Sequence, residues 1–115
     1  MSKSKFMFVY RSDAETETIA PSPEQMQEMM AAWHAWFASL GDSLIEGGDA
    51  LLPMGLQVQP DGTVTDGPFI EGKEMVGGYS IVQADTIEEA AEMAKGCPML
   101  PMGGNVEVRP FACLE

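Results

Sequence analysis

The chain has 115 residues, the size of one ordinary domain, so we expect a single domain over residues 1–115. Its 18 acidic and six basic side chains give a formal net charge of −12, which opposes binding to the phosphate backbone of nucleic acids. No stretch approaches the roughly 18 uninterrupted apolar residues of a membrane-spanning helix, so we expect no membrane partner.

The amino terminus and the cysteines predict a cytoplasmic protein. The apolar run from Phe6 to Tyr10 is shorter than the hydrophobic region of a secretory signal. Cys97 and Cys113 have neither CxxC spacing nor a neighbouring histidine, so zinc, redox-motif and disulfide-scaffold interpretations lack support. We expect two reduced thiols, no metal and no cofactor.

The chain begins with a predicted strand and a long predicted helix. Residues Lys5 to Tyr10 are aromatic and β-favouring, as is typical of a central strand. Ser22-Pro23-Glu24-Gln25 supplies an N-cap, a proline at the first helical position and the glutamine of a capping box. Gly41 stands where a C-cap glycine belongs. Apolar residues recur between these caps at helical spacing: Met26, Met29, Met30, Trp33, Trp36, Phe37 and Leu40.

A second strand and a small hairpin are predicted next. Leu44 through Leu52 favours a strand, interrupted at Gly47-Gly48 by a bulge or a close backbone approach. Between Leu56 and Thr65, two alternating segments flank the turn Pro60-Asp61-Gly62. This pattern predicts a hairpin.

The rest of the chain repeats the order strand, helix, strand. Met75 to Gln83 predicts a strand with another Gly-Gly pair, and a helix follows that stops near Gly96. Val106 to Arg109 alternates as a last strand. The whole order predicts an α+β ferredoxin-like sandwich of the βαββαβ type with an inserted β-hairpin. Because helices cover one sheet face only, we expect the bare face to form a homodimer.

Five short motifs carry a family resemblance. In order they are Asp66-Gly67-Pro68-Phe69, Lys73-Glu74, Gly77-Gly78-Tyr79, Cys97-Pro98 and Glu107-Val108-Arg109-Pro110. Over nearly the whole chain they resemble the DGPF branch of the YCII-related family. The resemblance implies a ferredoxin-like fold, a homodimer related to the dimeric α/β-barrel proteins, and a bacterial, cytoplasmic protein. Some relatives are associated with extracytoplasmic-function sigma factors. No reaction is established for the family, although its shorter members are thought to be enzymes that use a histidine and an aspartate.

Two residues are candidate proton-transfer groups. Asp66 precedes Gly-Pro, which suits a structural turn, but a carboxylate buried against Phe69 at a cleft rim can also act as a general base. His34 is the lone histidine and falls on the flank of the helical stripe. It is either a boundary residue or a catalytic base.

Two further residues, with Phe69, are candidate ligand contacts. Tyr79 follows two glycines, so its hydroxyl can orient a ligand, or its ring can simply pack in the core. Arg11 can bind a ligand carboxylate or pair with Asp13 or Asp66. The ten methionines suit an adaptable core or a pocket for varied apolar ligands.

These observations lead to two functional hypotheses, and whether the protein is an enzyme stays open. In the first, it binds or transforms a small molecule by acid-base chemistry in a cleft near the DGPF turn, through Asp66 and His34. The alternative is a non-catalytic regulatory or interaction protein, linked to an extracytoplasmic-function sigma factor. An Asp66 held in a pocket supports the first, and one satisfied by turn amides alone supports the second.

Overall fold

The computed structural model describes residues 3–13, 22–52, 54–67 and 74–112. The predicted ligand contact Phe69 lies outside these ranges, as does Cys113. Within them, the elements in chain order are β1 (Ser4–Asp13), α1 (Pro23–Leu40), β2 (Leu44–Glu46), β3 (Gly55–Val58), β4 (Val64–Gly67), β5 (Glu74–Ala84), α2 (Ile87–Ala94) and β6 (Asn105–Pro110).

The main sheet has the strand order β2-β5-β1-β6, and its neighbouring strands are all antiparallel. The units β1–α1–β2 and β5–α2–β6 each contribute two strands, and the strands of the two units interleave. This arrangement confirms the predicted α+β ferredoxin-like fold. Strands β3 and β4 form a separate two-stranded sheet, which is the predicted inserted hairpin.

Local capping interactions explain where the helices begin. At α1, the Ser22 hydroxyl accepts a hydrogen bond from the Gln25 amide at 3.1 Å, and the Gln25 side chain accepts one from the Ser22 amide at 2.9 Å. At α2, the Thr86 hydroxyl accepts from the Glu89 amide at 3.1 Å. These bonds satisfy amides that have no partner within the helix. No helix among the described residues is both long and apolar enough to cross a membrane.

The core lies between the helices and one face of the sheet. Alternate residues of β1, namely Phe6, Phe8 and Tyr10, are buried on this face. Trp36 of α1 stacks on Phe8 with ring centroids 6.0 Å apart, and its indole nitrogen donates to the Met93 carbonyl at 3.1 Å. Trp36 therefore connects both helices to the sheet.

Helix α1 packs on this core through its second half. Trp36 is buried and Trp33 is half-buried, but Met26, Met29 and Met30 remain 48%, 36% and 54% exposed. The helical prediction is confirmed for the whole segment, while core contact is confined to the carboxyl-terminal turns. The methionine side chains of the first half face a cavity instead.

Strand β2 is shorter than the sequence predicts. It ends at Glu46 rather than continuing to Leu52, because Gly48 takes a φ of +70° that leaves the sheet geometry. Beyond this break the chain stays close to β5 through an isolated bridge between Ala50 and Gly78. The Leu51 amide also donates to the Gly77 carbonyl at 2.8 Å. Of the two alternatives predicted at Gly47-Gly48, a bulge or a close backbone approach, the structure shows the close approach.

The hairpin has one apolar face that is largely exposed. Val58 pairs with Val64, and Leu56 pairs with Asp66, so these four side chains share a face. Leu56, Val58 and Val64 are 69%, 73% and 56% exposed. Thr65 alternates onto the opposite, polar face, where its hydroxyl accepts from the Gln59 amide group at 3.2 Å.

Candidate functional site

A cavity of about 620 Å³ lies between α1, the segment that follows β2, and the Gly-Gly pair of β5. Its volume falls within the range of sites that hold small organic molecules. Five methionines, from α1 and from the loop before β6, form much of its lining: Met26, Met29, Met30, Met99 and Met102. Because thioether side chains are flexible and polarizable, this part of the wall can adapt to ligands of different shapes.

Aromatic rings form a more rigid part of the wall. Tyr10 and Trp33 meet edge to face with ring centroids 4.9 Å apart, and Trp33 meets Phe37 in the same manner at 5.7 Å. Each ring restricts the rotation of its neighbour. The cavity thus combines a fixed aromatic side with an adaptable methionine side.

The two Gly-Gly pairs shape the remaining side of the cavity. A Cβ at Gly48 would lie 1.9 Å from the Tyr79 carbonyl oxygen, and one at Gly78 would lie 2.9 Å from the Asp49 carbonyl oxygen. Only residues without a Cβ allow these two backbones to touch. This contact holds the segment from Gly47 to Leu51 beside β5, where it lines the cavity.

A buried chain of hydrogen bonds joins β1 to this segment. The Tyr10 hydroxyl donates to the Ser80 hydroxyl at 2.6 Å, and the Ser80 hydroxyl donates to the Gly47 carbonyl at 2.6 Å. Burial raises the pKa of Tyr10 well above its usual range, although the hydrogen bond with Ser80 acts in the opposite direction. Tyr10 is therefore a neutral donor already engaged in positioning Gly47.

Two titratable side chains of the lining are free to meet a ligand: His34, exposed on α1, and Asp49, exposed after the second glycine. Tyr79 also borders the cavity, but its pairing with Val9 puts its ring on the sheet face away from the helices. An imidazole is the side chain best suited to exchange a proton near neutral pH. The arrangement can bind an apolar molecule and offer it a proton donor or acceptor at the edge of the cavity.

The structure brings together two of the residues that the sequence singled out. His34 and Tyr79 both line the cavity, whereas Asp66 and Arg11 do not. Asp66 lies exposed on the hairpin. Arg11 forms an ion pair with Glu107, with an N–O distance of 2.9 Å. Its pairing with Asn105 places it on the sheet face away from the helices, because Tyr10 beside it faces them.

Two residues of the cavity lining were missed by the sequence analysis. Asp49 carried no motif of its own, although it directly follows the Gly47-Gly48 pair that was predicted to approach another backbone closely. Tyr10 was treated only as part of a strand. The methionines did carry a signal, since their helical spacing and their number had suggested an adaptable apolar pocket.

Nucleophilic and metal chemistry find little support at this site. Burial raises the pKa of the Cys97 thiol, which keeps it in its unreactive protonated form. In the part of the chain that the structure describes, no three His, Cys, Asp or Glu side chains lie together as metal ligands would.

Comparison with known proteins places the chain in a family. The sequence model of the YCII-related domain matches residues 5–112. The matched range includes every residue named above as part of the cavity lining. No curated protein matches the chain.

Proposed function

The chain belongs to the YCII-related domain family, and from this premise we propose that it binds a small apolar molecule in the cavity beside α1 and exchanges a proton with it through His34. The observation that carries the proposal is the cavity, whose volume is about 620 Å³ and whose lining combines methionines and aromatic rings with one imidazole. Apolar walls with a few polar groups are typical of small-molecule sites. The fold alone supplies no such argument, because one fold serves many functions.

The position of His34 at the edge of the cavity supports its role in proton transfer. A general acid or base must reach its partner atom within about 2.6–3.2 Å, directly or through one water. A ligand that fills the apolar interior presents its polar end at the edge, where His34 lies exposed. Asp49 offers a carboxylate contact there. The catalytic role of Asp66 remains a prediction, because Asp66 does not line this cavity in the single chain.

The methionine methyl groups provide a direct test of binding. We would label them with ¹³C and titrate the protein with 1-naphthylmethanol, a neutral apolar probe. The methyl resonances of the five lining methionines should shift with one common binding constant. Met75, which is buried outside the cavity, and Met54, which is exposed, should not move. A shift at Met75 without shifts at Met29 and Met30 would contradict the proposal.

His34 can be followed separately, because it is the only histidine in the chain. If the bound probe contacts the imidazole, the pH midpoint of its ring resonances should change when the cavity is filled. The His34→Gln variant should retain probe binding and lose any proton exchange with a bound ligand. An unchanged midpoint with a filled cavity would remove His34 from the proposed chemistry.

We also propose that the protein is a homodimer of the dimeric α/β-barrel type, from the DGPF branch of the family and the bacterial cytoplasm. The motifs named in the sequence support the branch and its setting. Two apolar surfaces support the dimer: the hairpin face, and the half-buried side chains of Met7, Val9 and Ile81 on the sheet face away from the helices. Light scattering on the purified protein measures the mass that decides between one and two chains.

One observation favours the alternative, a regulatory or interaction protein. A two-stranded hairpin is marginally stable on its own in water, and the exposed face of Leu56, Val58 and Val64 is suited to contact another protein. Titration with a purified extracytoplasmic-function sigma factor tests this function. The interaction function would be favoured over ligand binding by two results together: saturable binding of the sigma factor that Val64→Lys abolishes, and methionine resonances that shift with none of the small-molecule probes.

A further inference from the structure

The charges around the cavity are unevenly distributed. Its lining includes one carboxylate, from Asp49, and neither lysine nor arginine from the described residues. Two basic side chains elsewhere in the described ranges are paired with acids. Arg11 lies 2.9 Å from Glu107, and Lys95 lies 2.7 Å from Glu92. The described residues therefore give the cavity no guanidinium or ammonium group with which to bind an anion, in a chain of net charge −12.

Two of the hydrogen-bond donors near the cavity are already committed. The Tyr10 hydroxyl donates to Ser80, and the Leu51 amide donates to the Gly77 carbonyl. Because burial raises the pKa of Tyr10, its hydroxyl stays neutral and adds no negative charge to the cavity. A ligand carboxylate would lose its hydrogen bonds to water and gain few from the protein, which makes its burial costly.

The walls and the edge of the cavity suit a cation instead. Aromatic faces such as those of Trp33 and Tyr10 attract ammonium groups, and the thioethers of Met29 and Met30 are polarizable. Asp49 supplies the opposite charge at the edge. We infer that the cavity selects an apolar molecule that carries a protonated amine, with Asp49 as its counter-ion; this inference rests on the proposed function.

Three probes of nearly equal shape test the inference. At about pH 8, where an unperturbed imidazole is mostly neutral, 1-naphthylmethylamine is a cation, 1-naphthylmethanol is neutral and 1-naphthoic acid is an anion. Methionine methyl resonances report the binding of each. The amine should bind about fivefold more tightly than the alcohol, and the acid should bind more weakly than both.

Matched variants assign the preference to one side chain. Asp49→Asn should reduce the affinity for the amine to about that for the alcohol, so that the preference is lost. Asp85→Asn removes the same charge from an exposed position outside the lining and should preserve the preference. As a second measurement on the parent protein, added salt should weaken binding of the amine and have little effect on the alcohol.

The outcomes separate this inference from the function on which it rests. If none of the three probes moves the lining methionines, ligand binding in the cavity fails altogether. If the acid binds as tightly as the amine, or if Asp49→Asn leaves the preference intact, the selection of a cation is overturned while the binding function stands.

Discussion

The backbone of Gly48 lies so close to the carbonyl of Tyr79 that a Cβ at position 48 would come within 1.9 Å of that oxygen. Gly48 also has a φ of +70°, which side chains rarely adopt. We expect Gly48→Ala to lower the free energy of unfolding by about 3 kcal/mol, from backbone strain and displacement of the 47–51 segment. Chemical denaturation measures this loss, and the variant should also lose affinity for 1-naphthylmethanol.

Gly62→Ala is the matched control for this substitution. Gly62 has a φ of +89°, but a Cβ there would meet nothing within 4 Å. Only the backbone strain remains, so we expect a loss of about 1 kcal/mol and unchanged probe binding. Equal losses in the two variants would mean that the contact with Tyr79 contributes nothing.

Ser80 joins Tyr10 to Gly47, so its hydroxyl is expected to matter more than that of Tyr10. Ser80→Ala leaves a buried donor and a partly buried carbonyl without their partner, and we expect it to lower the free energy of unfolding by about 2–3 kcal/mol. Tyr10→Phe leaves the bond from Ser80 to Gly47 in place and should cost about 1 kcal/mol. Denaturation of both single variants and of the double variant measures the coupling. Strictly additive losses would contradict a connected chain.

Features with local causes were predictable from the sequence. The start of α1 depends on contacts between Ser22 and Gln25, three residues apart, and the hairpin depends on a turn at residues 60–62. The sequence predicted an interruption at Gly47-Gly48 but not that β2 ends before it, because this end depends on Gly48 meeting Tyr79, which lies 31 positions further along the chain. Local pattern carries little information about contacts at that distance.

The candidate site also has a part that the sequence predicts and a part that it does not. The place of His34 on the flank of a helix follows from periodicity, and the structure puts it beside the cavity. Asp49 joins it only because two Gly-Gly pairs bring distant backbones together. Asp66 was predicted to be either part of a structural turn or a carboxylate at a cleft rim. Its position depends on how the hairpin is oriented relative to the main sheet, which no local motif specifies.

The stability of the protein should fall at alkaline pH because of two buried groups. Burial raises the pKa of Tyr10 and that of Cys97 above their usual values of 10.0 and 9.0. The folded chain therefore keeps protons that the unfolded chain releases. The stabilisation is fully present below the unfolded-state pKa of each group and is lost as the pH rises above it, by up to about 1.4 kcal/mol per pH unit for each group.

Urea unfolding at pH 8, 9.5 and 10.5 measures this dependence. Cys97→Ala should flatten the decline that begins near pH 9, and Tyr10→Phe should flatten the part above pH 10. Comparison with the parent protein cancels the titration of the lysines, which all three proteins share. A decline of unchanged slope in both variants would assign the pH dependence to other groups.

The apolar hairpin face should contribute to self-association, and adjacent residues of β4 allow a matched test. Val64 lies on the exposed apolar face with Leu56 and Val58, while Thr65 lies on the polar face. Val64→Lys and Thr65→Lys add the same charge and the same side chain to opposite faces of one strand. Because Val64 is 56% exposed, we expect Val64→Lys to change the stability of a single chain by less than about 0.5 kcal/mol.

Its effect should instead be on the mass of the assembly. If the hairpin face is buried between two chains, a lysine there loses its hydration without a partner, and dimer affinity should fall at least tenfold. Thr65→Lys should leave affinity within about twofold of the parent, since its side chain points away from that face. Light scattering over a dilution series measures both. A parent that stays monomeric at every concentration, or two variants that weaken the dimer equally, would exclude the apolar hairpin face as the contact surface.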